Sequence, residues 1–134
     1  MKDIRKKSFA TQAVHAGVGE NEHGAVVTPI YQTSTFKFRD VQHGANLFSG
    51  AEEGYIYTRM RNPTIEAMEN AIAILEGGAR ALGCGSGMAA IHTVFVALLK
   101  AGDHVVSSES VYGPTNTLLK NIMRDFGVES SFID

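Results

Sequence analysis

The chain has 134 residues, 44 % of them hydrophobic and 19 % charged, a profile that excludes a disordered segment or a fibre and fits one soluble globular domain. Its net charge is −2 and no Lys/Arg run extends beyond Arg5-Lys6-Lys7, so it carries no electrostatic footprint for nucleic acid or an acidic membrane surface. A single cysteine, Cys84, excludes an internal disulfide; no apolar run approaches the roughly 20 residues of a membrane span, and the basic start lacks an apolar signal region, so a reducing, cytoplasmic setting is expected.

The opening stretch is polar, carries glycine and proline, and reads as an arm, with one short turn of helix at Thr11 to His15. Val26 to Tyr31 reads as extended, because Pro29 biases Thr28 away from the α region. Asp40 caps a short helix through Phe48 that Gly50 stops. At Asn62 the punctuation becomes regular: an N-cap is followed by Pro63 at the first helical position, where its missing N–H costs nothing. Ile65, Met68, Ile72 and Leu75 then recur at helical spacing, and Gly77-Gly78 ends the run.

Ala79 to Cys84 predicts a short buried strand, with Cys84 as a small buried residue rather than a nucleophile. Ser86 caps a second helix with Met88, Ile91, Phe95, Leu98 and Leu99 facing inward and Gly102 closing it. His104 to Ser108 is a strand. Pro114 opens a third helix with Leu118, Leu119, Ile122, Met123 and Phe126 on one broad face, Gly127 stops it, and Val128 to Ile133 is a strand. Strand, helix, strand, helix, strand implies parallel pairing through right-handed crossovers, the start of an α/β layered fold. Little follows the last strand to cover the sheet edge, which points to a piece of a longer chain.

Gly83-Cys84-Gly85-Ser86-Gly87-Met88 lies at the start of a predicted helix. Free N–H groups and the helix dipole there favour an anion, and glycines let backbone approach a ligand. Glycines needed only for a tight strand-to-helix turn are the competing reading. No Gly-Lys-Ser/Thr occurs, so a P-loop fails; Gly83-x-Gly85-x-x-Met88 lacks the third glycine of a dinucleotide fingerprint, although Asp103 stands where a ribose-binding acid would. Tyr57-Thr58-Arg59 offers a guanidinium fork and a phenol to a phosphate. Without a cysteine pair or a His-Glu-x-x-His among the five histidines, metal chemistry is not expected.

Tyr57-Thr58-Arg59-x-x-Asn62-Pro63-Thr64, the Cys84-to-Met88 loop and Val111-Tyr112-Gly113-Pro114 together resemble the Cys/Met-metabolism family of pyridoxal 5′-phosphate (PLP) enzymes, from about Thr11 to Asp134. The resemblance implies an α/β fold: an arm and subunit-contact segment over 1–61, then over 62–134 the start of the large PLP-binding domain of the aspartate aminotransferase-like, fold type I class, with an incomplete sheet. It implies PLP as cofactor and a homotetramer whose active sites are shared between two subunits. In that frame Tyr57 and Arg59 hold the neighbouring subunit's PLP phosphate, and Ser86, Gly87 and Met88 form the other half of the cradle. Tyr112 stacks on the cofactor ring and exchanges a proton, and Phe48 approaches the substrate pocket.

Family members are longer, and the Schiff-base lysine in its Ser-x-Thr-Lys setting, with the aspartate that holds the ring nitrogen, is not among these residues; the 134 residues taken alone are expected to be inactive. Ile56 stands where cystathionine-handling members usually have glutamate, and Pro114 where many methionine γ-lyases have cysteine. The implied chemistry is γ-elimination from a methionine-type substrate or γ-replacement on an O-acylhomoserine. A non-catalytic binding or assembly module and a truncated nucleotide-binding domain stand as alternatives.

Overall fold

The computed structural model describes residues 3–134; Met1 and Lys2 of the basic start lie outside the described residues. The chain divides into two compact units, Met1–Gly83 and Cys84–Asp134.

In the first unit a 3-10 turn at Ile4–Lys6 precedes α1, Phe9–His15, whose N-cap Ser8 accepts a hydrogen bond from the Thr11 N–H at 3.4 Å. Helix α2, Val41–Ser49, starts and stops as its sequence implies: Asp40 accepts from the His43 N–H at 2.7 Å, and Gly50 turns left-handed at φ 73°. Helix α3 spans Pro63–Leu75. The arm crosses α3 at Gly17, where φ is 76° and a Cβ would stand 2.0 Å from the Ala67 carbonyl oxygen, so no other residue fits. The arm thus meets α3 on the side of Ala67 and Ala71, and Ala73, elsewhere on the helix, is its buried residue at 3 % exposure. Ile65, Met68 and Ile72, expected inward from their spacing, are exposed.

The Val26 to Tyr31 segment, expected to be extended, belongs to no strand ladder. Side chains hold that segment instead: Thr64 Oγ1 accepts from the Tyr31 N–H at 2.8 Å and donates to the Pro29 carbonyl at 3.2 Å. Asn62, at 3 % exposure, completes the seam. Its Oδ1 caps α3 by accepting from the Thr64 N–H at 2.9 Å, while its amide donates to the Tyr31 carbonyl at 3.0 Å and to Thr58 Oγ1 at 2.9 Å.

The second unit holds α4, Gly87–Leu98; β1, His104–Ser108; α5, Gly113–Thr117, continuing into a π-helical turn, Leu118–Met123; and β2, Glu129–Ile133. β1 and β2 pair in parallel, from His104 opposite Glu129 to Ser108 opposite Ile133. Leu118, Leu119, Met123 and Val128 form the core, with Met88, Ile91, Phe95, Leu99, Val105 and Phe132 packed on it.

Three expectations change here. Residues 79–84 pair with no strand among the described residues, so the sheet has two strands, and Cys84 is exposed. Helix α4 ends at Leu98, which is 76 % exposed rather than inward; Gly102 shapes the following turn, where its N–H donates to the Gly127 carbonyl at 2.8 Å. The face after α5 is also rotated, leaving Ile122 and Phe126 exposed. An i→i+5 turn places Leu118 over Met123, whereas an α-helical turn would have placed it over Ile122.

Asn62→Ala removes a cap and the buried amide bonds to the Tyr31 carbonyl and Thr58, although the Tyr31 carbonyl keeps the Thr33 N–H at 3.0 Å, so it should cost about 1–2 kcal/mol in urea unfolding. A loss below about 0.5 kcal/mol would mean the seam carries no stability.

Candidate functional site

Between the arm and the start of α3 lies a cleft of about 700 Å³. Gln32, Thr33, Ser34, Tyr57 and Arg59 line it, and no carboxylate does. Backbone pairing shapes its wall. The Thr58 N–H donates to the Ser34 carbonyl at 2.9 Å, the Phe36 N–H to the Ile56 carbonyl at 3.1 Å, and Thr35 bridges Tyr57 antiparallel. The Arg59 guanidinium lies 5.4 Å from the Tyr57 ring centroid, so the structure brings these two together on one wall. Arg59 is exposed, and no ion pair engages it among the described residues. A cleft with one guanidinium, a phenol and hydroxyls beside Ile30 and Ile65, and no acid, is chemically compatible with an anion.

Tyr55 and Arg61, which flank those two residues, turn to Glu66 on α3. The Tyr55 hydroxyl donates to Glu66 Oε2 at 2.8 Å, and an Arg61 Nη donates to Oε1 at 2.7 Å. Burial, and then the bond to Glu66, push the Tyr55 hydroxyl up to about 12. Burial alone would raise Glu66, but the bonds from Tyr55 and Arg61 outweigh it and hold the carboxyl below its ordinary value.

In the second unit Ser86 caps α4 by accepting from the Ala89 N–H at 3.1 Å, and its own hydroxyl proton remains available. The N–H groups of Gly87 and Met88 open the helix and have no carbonyl partner within it. The three glycines of this loop have different reasons. At Gly83 a Cβ would stand 2.8 Å from Met68 Cε, the tip of a flexible and exposed side chain that can swing aside, and its N–H donates to Glu69 Oε1 at 2.7 Å, so of the three it alone lies against α3. At Gly85 and Gly87 a Cβ would meet nothing within 4 Å and φ is not left-handed, so neither packing nor backbone conformation in this chain demands glycine.

Tyr112 is 67 % exposed at the N-cap of α5, and its carbonyl accepts from the Thr115 N–H at 2.8 Å. Thr115, buried at 7 %, donates its hydroxyl to Met88 Sδ at 3.6 Å and so joins the Tyr112 turn to the start of α4. Phe48 is 68 % exposed on α2, edge-on to Phe38 at 6.1 Å, and does not line the cleft. Asp103 is engaged locally: Oδ2 accepts from the Lys100 N–H at 2.9 Å and Oδ1 pairs with Lys100 Nζ at 3.5 Å.

The model of the Cys/Met metabolism PLP-dependent enzymes matches residues 10–134. The chain belongs to this family. Among its relatives, an L-methionine γ-lyase of Porphyromonas gingivalis is 43 % identical over 132 residues, 98 % of this chain and 33 % of the relative. A fungal protein named sulfhydrylase FUB7, from Fusarium oxysporum f. sp. lycopersici, is 41 % identical over 128 residues, 95 % of this chain and 30 % of the relative. A solved structure described as an O-acetylhomoserine (thiol)-lyase of Campylobacter jejuni superposes with a TM-score of 0.88 at 32 % identity, over 96 % of this chain and 32 % of that one; it carries a pyridoxyl-lysine-phosphate. The family is PLP-dependent, its structural neighbours have fold type I, and the chain spans about a third of their length. The two strands seen here are thus an incomplete sheet of that fold. No helix among the described residues is long and apolar enough to cross a membrane.

Sequence reasoning missed Asn62 beyond its cap, Thr33 and Ser34, Thr115, and the Tyr55–Glu66–Arg61 group. Asn62-Pro63-Thr64 sits inside the motif, but only contacts from the arm reveal why its amide is needed. The raised Tyr55 hydroxyl has a measurable consequence. As pH rises past the ordinary tyrosine value near 10, the unfolded chain ionises first, so stability should fall until about 12. Glu66 acts at the other end: its depressed carboxyl contributes stability above the ordinary carboxylate range, and that is lost as pH falls through its folded value. Tyr55→Phe should flatten the alkaline limb in pH-dependent unfolding; an unchanged limb would place the titrating group elsewhere.

Proposed function

We propose that this chain is the amino-terminal part of a PLP-dependent enzyme that eliminates or replaces the γ-substituent of a methionine- or homoserine-type amino acid. The observation that carries the reading is the acid-free cleft in which Tyr57 and Arg59 stand together. In a homotetramer with shared sites, Arg59 gives a neighbouring subunit's cofactor phosphate paired charge-assisted hydrogen bonds, and Tyr57 adds a third donor. To the cofactor phosphate of its own subunit the chain offers the Ser86 hydroxyl and the opening N–H groups of α4, which the helix dipole favours. Gly85 and Gly87, unexplained by packing, keep that approach free of side chains.

PLP, when bound, would supply the electron sink that makes the proton on the amino-bearing carbon, and then one on the carbon beside it, removable. The exposed Tyr112 ring is free to stack on a flat cofactor, and its hydroxyl can pass a proton to or from the substrate amine or the leaving group. Elimination from a methionine-type substrate consumes one water and yields a 2-oxo acid, ammonia and a thiol; capture by sulfide or a thiol displaces the acyl group of an O-acylhomoserine as a carboxylate and yields a thiol or thioether. The names of the relatives include both kinds of activity, a γ-lyase and a sulfhydrylase. Residues 1–61 act in this proposal as the arm that contacts another subunit, residues 62–134 open the cofactor domain, and Phe48 approaches a substrate pocket. The lysine that anchors the cofactor lies outside these residues, so turnover belongs to the longer protein, which we place in the cytoplasm.

Arg59→Ala in the complete enzyme should raise the PLP dissociation constant by about 10-fold or more; unchanged affinity in a titration of apoenzyme would end the trans-phosphate reading. Tyr112→Phe should lower kcat by about 10-fold while retaining the cofactor. A fully active variant would leave that tyrosine only a packing role.

A further inference from the structure

We propose that Glu66 is a positioning residue for the cofactor-phosphate hook, acting through Tyr55 and Arg61. The inference rests on the reading of Arg59 given above. Tyr57 and Arg59 lie on a short loop, and the residues that bracket them, Tyr55 and Arg61, both reach back to one carboxylate. Tyr55 takes Oε2 at 2.8 Å and Arg61 takes Oε1 at 2.7 Å, so each oxygen holds one end of the loop. The Arg61 guanidinium also lies 5.5 Å from the Tyr55 ring centroid, which closes the bracket on itself. Inside the bracket the backbone turns tightly, with the Met60 and Arg61 N–H groups donating to the Tyr57 carbonyl at 2.8 and 3.1 Å.

The loop therefore has two faces. Tyr57 and Arg59 line the 700 Å³ cleft, while Tyr55 and Glu66 line a separate cavity of about 200 Å³. Glu66 is on the first turn of α3, a regular helix whose start the buried Asn62 fixes, so the anchor is rigid. A long, exposed arginine otherwise samples many rotamers, and holding its loop at both ends reduces the freedom that must be given up when an anion binds. The pairing of Arg61 with Glu66 also keeps the second guanidinium of the loop away from the cleft.

The test is a double-mutant cycle on the intact enzyme containing this segment, stripped of cofactor and titrated with PLP by fluorescence. Simple electrostatics predicts that Glu66→Gln, by deleting a negative charge and releasing Arg61, would tighten phosphate binding. Positioning predicts the opposite: Glu66→Gln weakens PLP about fivefold, and that effect vanishes in an Arg59→Ala background because nothing is left to position. Tyr55→Phe, which removes one grip and keeps the ring, should weaken PLP about threefold with the same dependence on Arg59, and decides the matter if Glu66→Gln fails to fold. Tightening, no change, or an equal loss in both backgrounds would overturn the proposal while leaving the Arg59 reading intact. If Arg59→Ala alone leaves PLP affinity unchanged, the Arg59 reading falls and the positioning role falls with it.

Discussion

The buried amide of Asn62 is the interaction on which the first unit depends. An amide carries an acceptor and two donors, and here they serve three segments: the first turn of α3, the arm at Tyr31, and the loop at Thr58. Removed from water at 3 % exposure, these bonds are strong and their loss is costly. The cleft exists because one residue fixes the course of both its walls. No aliphatic side chain of the same size could do so, because it can neither cap α3 nor donate to the Tyr31 carbonyl and Thr58.

The second unit is organised by a different constraint. Two parallel strands need a crossover, and the crossover helix must lay its apolar residues on them. The π turn at Leu118–Met123 sets the phase of that helix, burying Leu118, Leu119 and Met123 and turning Ile122 outward. The same helix begins at Tyr112, and Thr115 ties that beginning to Met88. Core packing and the placing of two candidate cofactor residues thus share one element. The apolar side chains left exposed, such as Leu98, Val106 and Ile133, belong to a sheet and helices that are incomplete by the standard of their structural relatives.

Much of the fold was legible where one residue acts on its own neighbours. Asp40 and Gly50 bound α2, and Asn62 with Pro63 opens α3, because caps and left-handed turns are settled by local backbone chemistry. Family motifs pointed to Tyr57, Arg59, the Ser86 loop and Tyr112. What failed was any inference needing a distant partner. The buried strand at Ala79 to Cys84 required a neighbouring strand, and none pairs with it among the described residues. The α3 stripe of Ile65, Met68 and Ile72 required a surface to meet, whereas the arm instead came to the alanines beside Gly17. Asp103 takes part in an ordinary turn with Lys100 that its spacing alone did not announce.

The sequence by itself determined the family, the helix boundaries set by caps, and the residue types of a phosphate site, since motif spacing and capping are short-range properties. Only the tertiary structure decided that Tyr57 and Arg59 share an acid-free cleft with the arm, that Gly83 lies against α3 while Gly85 and Gly87 face open space, and that Glu66 brackets the loop. Each of these depends on atoms brought together from separate parts of the chain. Spacing along one segment holds no record of such meetings, because burial and hydrogen-bond satisfaction are properties of the assembled unit.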